Sequence, residues 1–288
     1  MLINRLKDTA LQSQGVTLTS VQPVTIFFKL KSKLESFLKK ITLSSEKVVD
    51  YNSDLLINSI IRKTKEFSRR VDEGLFTPES FRTITAVGIS SDGLKSINVI
   101  DFGGGAGGHF AVAKKAFPEK NLNWLIVETP KMVSFCKEEE NFNEITFVSN
   151  FDEATEFIPN PGLIIANASI HYTEDPLITL STICGLGSEW LFLTRTPLTN
   201  EKDTLQLLQE SRLRKNGPGK ALDDSARDAA VVVPIKVPPK CIVENLLSER
   251  YQIMLEFEEE NLHVNSKNQN IKTYGYLCKL RHQRPDSK

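Results

Sequence analysis

Beyond residue 95 the chain alternates short apolar runs with stretches of helical spacing. Residues 97–102, 124–128, 145–148, 163–166 and 190–193 are each too short for a helix and rich in β-branched or aromatic side chains. Each therefore predicts a strand buried on both faces. Residues 110–117, between the first two runs, have the alanine and lysine content of a helix. Strands separated by helical segments of that length imply right-handed crossovers and a parallel sheet with helices on both sides.

The flanking regions read differently. Leu55, Leu56, Ile60, Ile61, Lys63 and Phe67 fall near helical spacing, with Ser44 and Ser45 as candidate caps and Gly74 and Pro78 as punctuation. Residues 199–230 are polar, contain Gly217-Pro218-Gly219 and Asp223-Asp224, and predict a helix followed by a mobile loop. Pro238-Pro239 then opens a helix over 241–249, and strand-like runs at 251–257 and 273–280 flank a polar connection at 261–270. The expected fold is α/β: a doubly wound, mainly parallel seven-stranded sheet of Rossmann-like form, with a terminal antiparallel strand pair and an N-terminal helical extension. Its expected parts are a basic arm and helical extension over 1–95 and a cofactor-binding domain over 96–288. The latter carries a polar, lid-like insertion at 199–235.

Composition narrows the function classes. The chain has 288 residues, 40% hydrophobic and 25% charged, as in ordinary globular proteins. Lys+Arg and Asp+Glu are both 36, so no global field draws nucleic acid, and none is expected as a partner. Residues 1–44 hold seven basic side chains (Arg5, Lys7, Lys29, Lys31, Lys33, Lys39 and Lys40) against Asp8 and Glu35. This arm reads either as a weak peripheral contact with an anionic membrane or partner, or as a solvated terminal segment. Cys136, Cys184, Cys241 and Cys278 form no C-x-x-C pair, which argues against a metal site or a disulfide framework and for reduced, buried thiols in a cytoplasmic protein. The apolar stretch 24–28 is too short for a signal-peptide core or a membrane span.

The chemistry concentrates at Asp101-Phe102-Gly103-Gly104-Gly105-Ala106-Gly107-Gly108-His109, where a predicted strand ends and a helix begins. Glycines there let backbone N–H groups approach a ligand closely. Glu128 ends the next strand, where a carboxylate can accept ribose hydroxyls. Gly103-x-Gly105-x-x-Gly108 fits a dinucleotide pattern, the mark of an NAD(P)-dependent oxidoreductase or sugar-nucleotide enzyme. Asp101 opposes that reading, because a carboxylate before the loop repels pyrophosphate and suits a ligand bearing an ammonium. A third reading is a non-catalytic protein that keeps the fold for binding.

Asp101-Phe102-Gly103-Gly104-Gly105-x-Gly107, the strand-end Glu128 and the terminal strand pair resemble class I S-adenosylmethionine-dependent methyltransferases. With Trp124-Leu125-Ile126-Val127-Glu128-Thr129-Pro130 and Phe192-Leu193-Thr194-Arg195-Thr196-Pro197-Leu198, the likeness is to a methyltransferase family of bacterial surface-polysaccharide gene clusters. Asp50-Tyr51-Asn52-Ser53 is similar to that family's N-terminal Gly-Tyr-Asp element, with Asp50 in place of the glycine. The likeness spans roughly residues 45–282. It implies S-adenosylmethionine as cofactor. Gly103, Gly104, Gly105 and Gly107 would face its methionine moiety, with Asp101 holding the loop and Glu128 on the ribose. Asn150, where many relatives have aspartate, and Phe151 would meet the adenine, and Ala168 would lie beside the cofactor.

The implied reaction is methyl transfer, most simply to an oxygen of a small or saccharide-linked acceptor. Residues 167–176, after the fourth strand, lie by strand order at the carboxyl edge of the sheet. There His171 is the candidate general base, and Tyr172 and Tyr51 are candidate acceptor contacts. His109 is expected to cap or pack the helix after the loop. Residues 199–230, with Arg212, Arg214, Lys215 and Arg227, are expected to serve as a lid or acceptor-recognition loop.

Overall fold

The structure, a computed structural model, describes residues 48–220, 229–259 and 270–281. Ser44, Ser45, the basic arm, Arg227 and most of the connection at 261–270 lie outside the described residues. At its centre is a seven-stranded sheet in the order β4-β3-β2-β5-β6-β10-β9. The strands are β2 (Ser96–Phe102), β3 (Asn121–Val127), β4 (Ile145–Val148), β5 (Leu163–Asn167), β6 (Trp190–Thr199), β9 (Tyr251–Glu259) and β10 (Ile271–Leu280). Strands β2 to β6 pair in parallel, and β10 runs antiparallel to both β6 and β9. The expected doubly wound sheet with its terminal antiparallel pair is present.

Successive residues of the central strands enter opposite cores, as the two-residue strand period requires. Val99, Trp124, Ile126, Leu163, Ile165 and Phe192 join one cluster, while Ile100, Leu125, Val127, Ile164 and Leu191 join the other. The first is covered by α1 (Asp54–Asp72), α2 (Ser80–Ser90), α3 (Gly108–Ala116) and α4 (Pro130–Lys137). The second is covered by α5 (Phe151–Phe157), α6 (Pro176–Gly185) and α7 (Lys240–Arg250). Helix α1 buries Leu56, Ile57, Ile60 and Ile61 in the first core and Phe67 and Val71 against Val112 of α3. It starts at Asp54 because a turn precedes it, in which Asp50 Oδ1 accepts the N–H of Asn52 and the Asp50 carbonyl accepts that of Ser53.

Where a helix was expected in 199–230 there is a strand of a small sheet, and residues 221–228 of the expected loop lie outside the described residues. Strand β7 (Leu205–Arg212) pairs antiparallel with β8 (Ala230–Val237), which pairs in parallel with β1 (Val48–Val49). Overall polarity hid a period of two, in which Leu205, Leu207 and Gln209 turn inward and Gln206, Leu208 and Glu210 face solvent. The apolar run 230–233 supplies the partner. A strap over 213–219 then returns across α1. Lys63, 2% exposed, donates from Nζ to the carbonyls of Arg214 and Gly217, both at 3.1 Å. Burial lowers its pKa to about 8. One expectation about the thiols is also corrected: all four are free, but Cys241 is exposed, since it lies on the outer face of α7.

Gly107 is held to glycine mainly by its backbone. Its φ is +94°, and a Cβ there would lie 2.4 Å from Ile145 Cδ1. Gly107→Ala combines left-handed backbone strain with overpacking and is expected to lower unfolding stability by about 2–4 kcal/mol. Urea denaturation measures this; a loss of less than about 0.5 kcal/mol, the level of a neutral surface change, would contradict the packing described.

Candidate active site

The glycine loop lies where the strand order reverses. From β2 the chain builds outward through β3 and β4, and from β5 it builds the other way through β6, so the loops after β2 and β5 diverge. Open α/β sheets take their ligands at this position. The two loops touch, since a Cβ on Gly103 (φ +70°) would lie 2.5 Å from Ser169 Cβ. A Cβ on Gly104 would come within 2.5 Å of Asp101 Oδ2. Gly105 differs, because a Cβ there would meet only Ile60 Cγ2, at 3.7 Å, so this is the open position of the loop. Gly108 is set against the strap instead, where a Cβ would be 3.2 Å from Pro218 Cγ.

Two carboxylates enclose the loop. The Gly105 N–H donates to Glu128 Oε1 at 3.1 Å, and the Thr129 N–H donates to Glu128 Oε2 at 2.8 Å. Burial pushes the Glu128 carboxyl above its ordinary range, those two bonds oppose the shift, and the nearby charge of Asp101 adds to it; no basic side chain enters this balance. Asp101 is 0% exposed and meets His109 Nδ1 at 2.9 Å through Oδ2 and 3.2 Å through Oδ1. His109 Nε2 is 2.8 Å from Asn167 Nδ2. Burial opposes charge on His109, but the charge and hydrogen bond of Asp101 outweigh it, so its pKa is raised. Asn167 Oδ1 is buried with no partner. A rotated amide would therefore accept from His109 Nε2 once that ring is protonated.

The loop after β5 supplies the opposite wall. Ala168 takes a left-handed backbone (φ +52°) and donates its N–H to the Thr194 carbonyl at 2.9 Å. His171 is 4% exposed and its Nδ1 is buried without a partner. Burial first, and the charge of Arg195 second, push its pKa down to about 3. Tyr172 packs against His171 with ring centroids 4.1 Å apart and against Tyr51 at 4.9 Å. Tyr51 hydrogen-bonds Tyr172, whose O–H donates to Gln209 Oε1 of β7 at 2.7 Å. Burial, followed by this neighbour, raises the pKa of Tyr51. Three separate segments are thus tied together by one chain of hydroxyls.

The expected adenine contacts sit apart from this cluster. Asn150 caps α5: Oδ1 accepts the Glu153 N–H at 2.9 Å and Nδ2 donates to Glu153 Oε1 at 2.6 Å. The carbonyl oxygen expected to meet an adenine is the one that accepts this helix bond. Phe151 stacks on Phe102 with centroids 5.1 Å apart.

Four further residues, not singled out from sequence, complete the site. Thr194 and Arg195 form a β-bulge in β6, where the register with β10 shifts between Tyr274 and Tyr276. Arg195 takes φ +52° and is the one residue of β6 that is not fully buried. Glu259 Oε1 locks the bulge by accepting from Thr194 Oγ1 and, at 2.8 Å, from the Arg195 N–H. Glu259 Oε2 pairs with Arg82 at 2.6 Å. The polar triplet Thr194-Arg195-Thr196 inside an apolar strand was the available sequence signal. The partners Glu259 and Arg82 come from distant segments and left none. Among the described residues, no group of three or more His, Cys, Asp or Glu is placed to hold a metal ion, and no helix is long and apolar enough to cross a membrane.

No family model and no curated protein matches the sequence. Among solved structures, the chain is similar to a protein from Pyrococcus horikoshii (13% identity, TM-score 0.43, covering 71% of this chain and 92% of that one). It is also similar to an S-adenosylmethionine-dependent methyltransferase from Clostridium acetobutylicum (10%, TM-score 0.44, covering 76% and 98%). A third is the N-methyltransferase NodS from Bradyrhizobium japonicum, solved with S-adenosylhomocysteine (12%, TM-score 0.41, covering 80% and 100%).

The half-buried His109 and the buried His171 should respond to pH in opposite senses. His109, raised in the fold, contributes stability that is present below about pH 6.5, its unfolded value, and is lost as pH rises through its folded pKa. His171, depressed to about 3, contributes stability that is present above about pH 6.5 and is lost as pH falls toward its folded pKa. In imidazole NMR titrations, His109 is expected to titrate above 6.5 and to fall in the Asp101→Asn variant, while His171 stays neutral from pH 8 down to 5. A His171 signal that moves between pH 5 and 8 would contradict the burial described.

Proposed function

We propose that this chain is an S-adenosylmethionine-dependent methyltransferase that acts at oxygen on a small or saccharide-linked acceptor. The observation that carries this reading is the charge of the cradle: Asp101 and Glu128 flank the glycine loop, and no basic side chain offsets Glu128. A pyrophosphate would stand against both carboxylates, whereas a ligand bearing an ammonium and a sulfonium is attracted by them. The open position at Gly105 (φ +60°) also fits a ligand that lies against the loop backbone. Gly108, the last glycine of the competing dinucleotide pattern, has another explanation in the close approach of Pro218.

In this reading Gly103, Gly104, Gly105 and Gly107 form the wall for the methionine portion, and Glu128 receives the ribose hydroxyls. Phe151, Asn150 and Ala168 border the cofactor. When bound, S-adenosylmethionine supplies an electrophilic methyl group for in-line displacement. The protein contributes position and dryness, the main levers for such a reaction. Tyr51 and Tyr172, fixed by Gln209, shape the acceptor side. His171, neutral and with Nδ1 free of partners, accepts the hydrogen bond of the acceptor hydroxyl. With so low a proton affinity it orients that oxygen and holds the proton only fleetingly. The described parts of the insertion, 199–220 and 229–235, act as a docked cover, since Lys63 ties the strap and Gln209 ties β7 to the site.

Glu128→Gln is expected to weaken S-adenosylhomocysteine binding by about 1.5–3 kcal/mol, the worth of a charge-assisted hydrogen bond, as read by calorimetry. His171→Ala is expected to leave that binding within twofold and to lower turnover about 100-fold, the low end of base-type contributions. Unchanged binding in the first variant would remove the assigned ribose contact. Wild-type turnover in the second would remove His171 from the reaction.

A further inference from the structure

Arg195 is held in a strained backbone that its side chain does nothing to require. At φ +52° an arginine is in the left-handed region that favours glycine, and the bulge is pinned through its backbone N–H and Thr194, not through its guanidinium. That guanidinium makes no ion pair with any described residue, and its Nε is buried without a hydrogen-bond partner. The nearby carboxylates are already engaged. Glu259 serves the bulge with one oxygen and Arg82 with the other, and Glu79 is bonded to its own backbone amide and to Thr77. Thr194, next to Arg195, pairs with Asn167 at the end of β5 and accepts the Ala168 N–H, so Arg195 stands beside the loop that carries His171 and Tyr172, and its charge acts on both.

We propose that Arg195 is the anchor for a carboxylate on the methyl acceptor, so that the acceptor is a small hydroxy acid, either a sugar acid or an aromatic one. This deepens the methyltransferase reading and rests on it for the word acceptor, though not for the binding itself. The guanidinium fork matches a planar carboxylate with two parallel N–H···O bonds. A dianionic phosphate fits less well, because Glu79 and Glu259 lie beside Arg195 and repulsion grows with ligand charge. His171, with its free Nδ1, and the Tyr51–Tyr172 pair then meet the hydroxyl and the body of a molecule whose acid end is fixed at Arg195.

The test is calorimetry on the full chain, with and without S-adenosylhomocysteine, using two probe pairs that differ in the acid: D-glucuronate against D-glucose, and 4-hydroxybenzoate against 4-hydroxybenzamide. At least one carboxylate is expected to bind about 10- to 100-fold more tightly than its neutral counterpart, as for a lost charge-assisted bond pair. Arg195→Gly should abolish that preference, and Arg195→Lys should retain part of it. Because glycine relieves the left-handed strain, Arg195→Gly should melt at or above the wild-type temperature. A merely structural arginine would instead lose stability on removal. Equal binding of acid and neutral probes, a preference that survives Arg195→Gly, or no binding of either acid would overturn the proposal. Titration with S-adenosylhomocysteine in the same samples reads the cofactor separately: failure there with an Arg195-dependent acid preference sinks the methyltransferase reading alone.

Discussion

A carboxylate with no exposed surface cannot stand alone, and the site is arranged around that constraint at Asp101. Its two oxygens meet His109 Nδ1, which fixes the first turn of α3 against the end of β2. The same carboxylate presses on Gly104, where any side chain would collide with it. The loop must therefore cross the strand end as bare backbone. Gly103 is bare for a related reason, because Ser169 of the loop after β5 occupies the adjoining space. The cradle is thus shaped by a buried charge on one side and a neighbouring loop on the other, with Gly105 the least crowded of its glycines.

The far wall follows a second constraint. A bulge in β6 turns Arg195 out of the strand's inward alternation, and Glu259 stabilises the bulge by capping Thr194 and the Arg195 N–H together. Arg82 completes the Glu259 carboxylate. Both cradle and wall are thereby built from groups whose hydrogen bonds are largely satisfied within the protein. The exceptions near them are Asn167 Oδ1, Ser169 Oγ and His171 Nδ1 around the end of β5 and Arg195 Nε at the bulge, while Trp124 Nε1 is a further one in the sheet core. Buried polar atoms without partners are costly, and their concentration in one place marks where a ligand has bonds to make.

Much of this was legible in the sequence. The five parallel strands, the terminal pair and the helix after the glycine loop follow from period and length, because buried strands and amphipathic helices leave different apolar spacing. Asp101, Glu128 and the glycines were legible because strand ends are readable and glycine has few other uses at such a point. The small sheet at 205–212 and 230–237 was not. Polar residues dominate β7, and its period of two is carried by Leu205, Leu207 and Gln209 alone. The helix cap at Asn150 competed with a ligand role for the same atoms, and only geometry separates the two. Asn167, Arg195 and Glu259 were missed because each acquires its role from a partner distant in sequence, such as Glu259 reaching the bulge from β9.

The central claim is that Glu128, which no cation offsets, and the buried Asp101–His109 pair make this glycine loop a site for an adenosine ligand that bears an ammonium. Side-by-side calorimetry with S-adenosylhomocysteine, 5′-methylthioadenosine and NAD tests it most directly. The first carries the ammonium, the second keeps the nucleoside but lacks it, and the third adds a pyrophosphate. S-adenosylhomocysteine is expected to bind about 10-fold or more tightly than 5′-methylthioadenosine, the worth of one charge-assisted bond, with no detectable heat from NAD. Binding of NAD in preference to S-adenosylhomocysteine would contradict the claim.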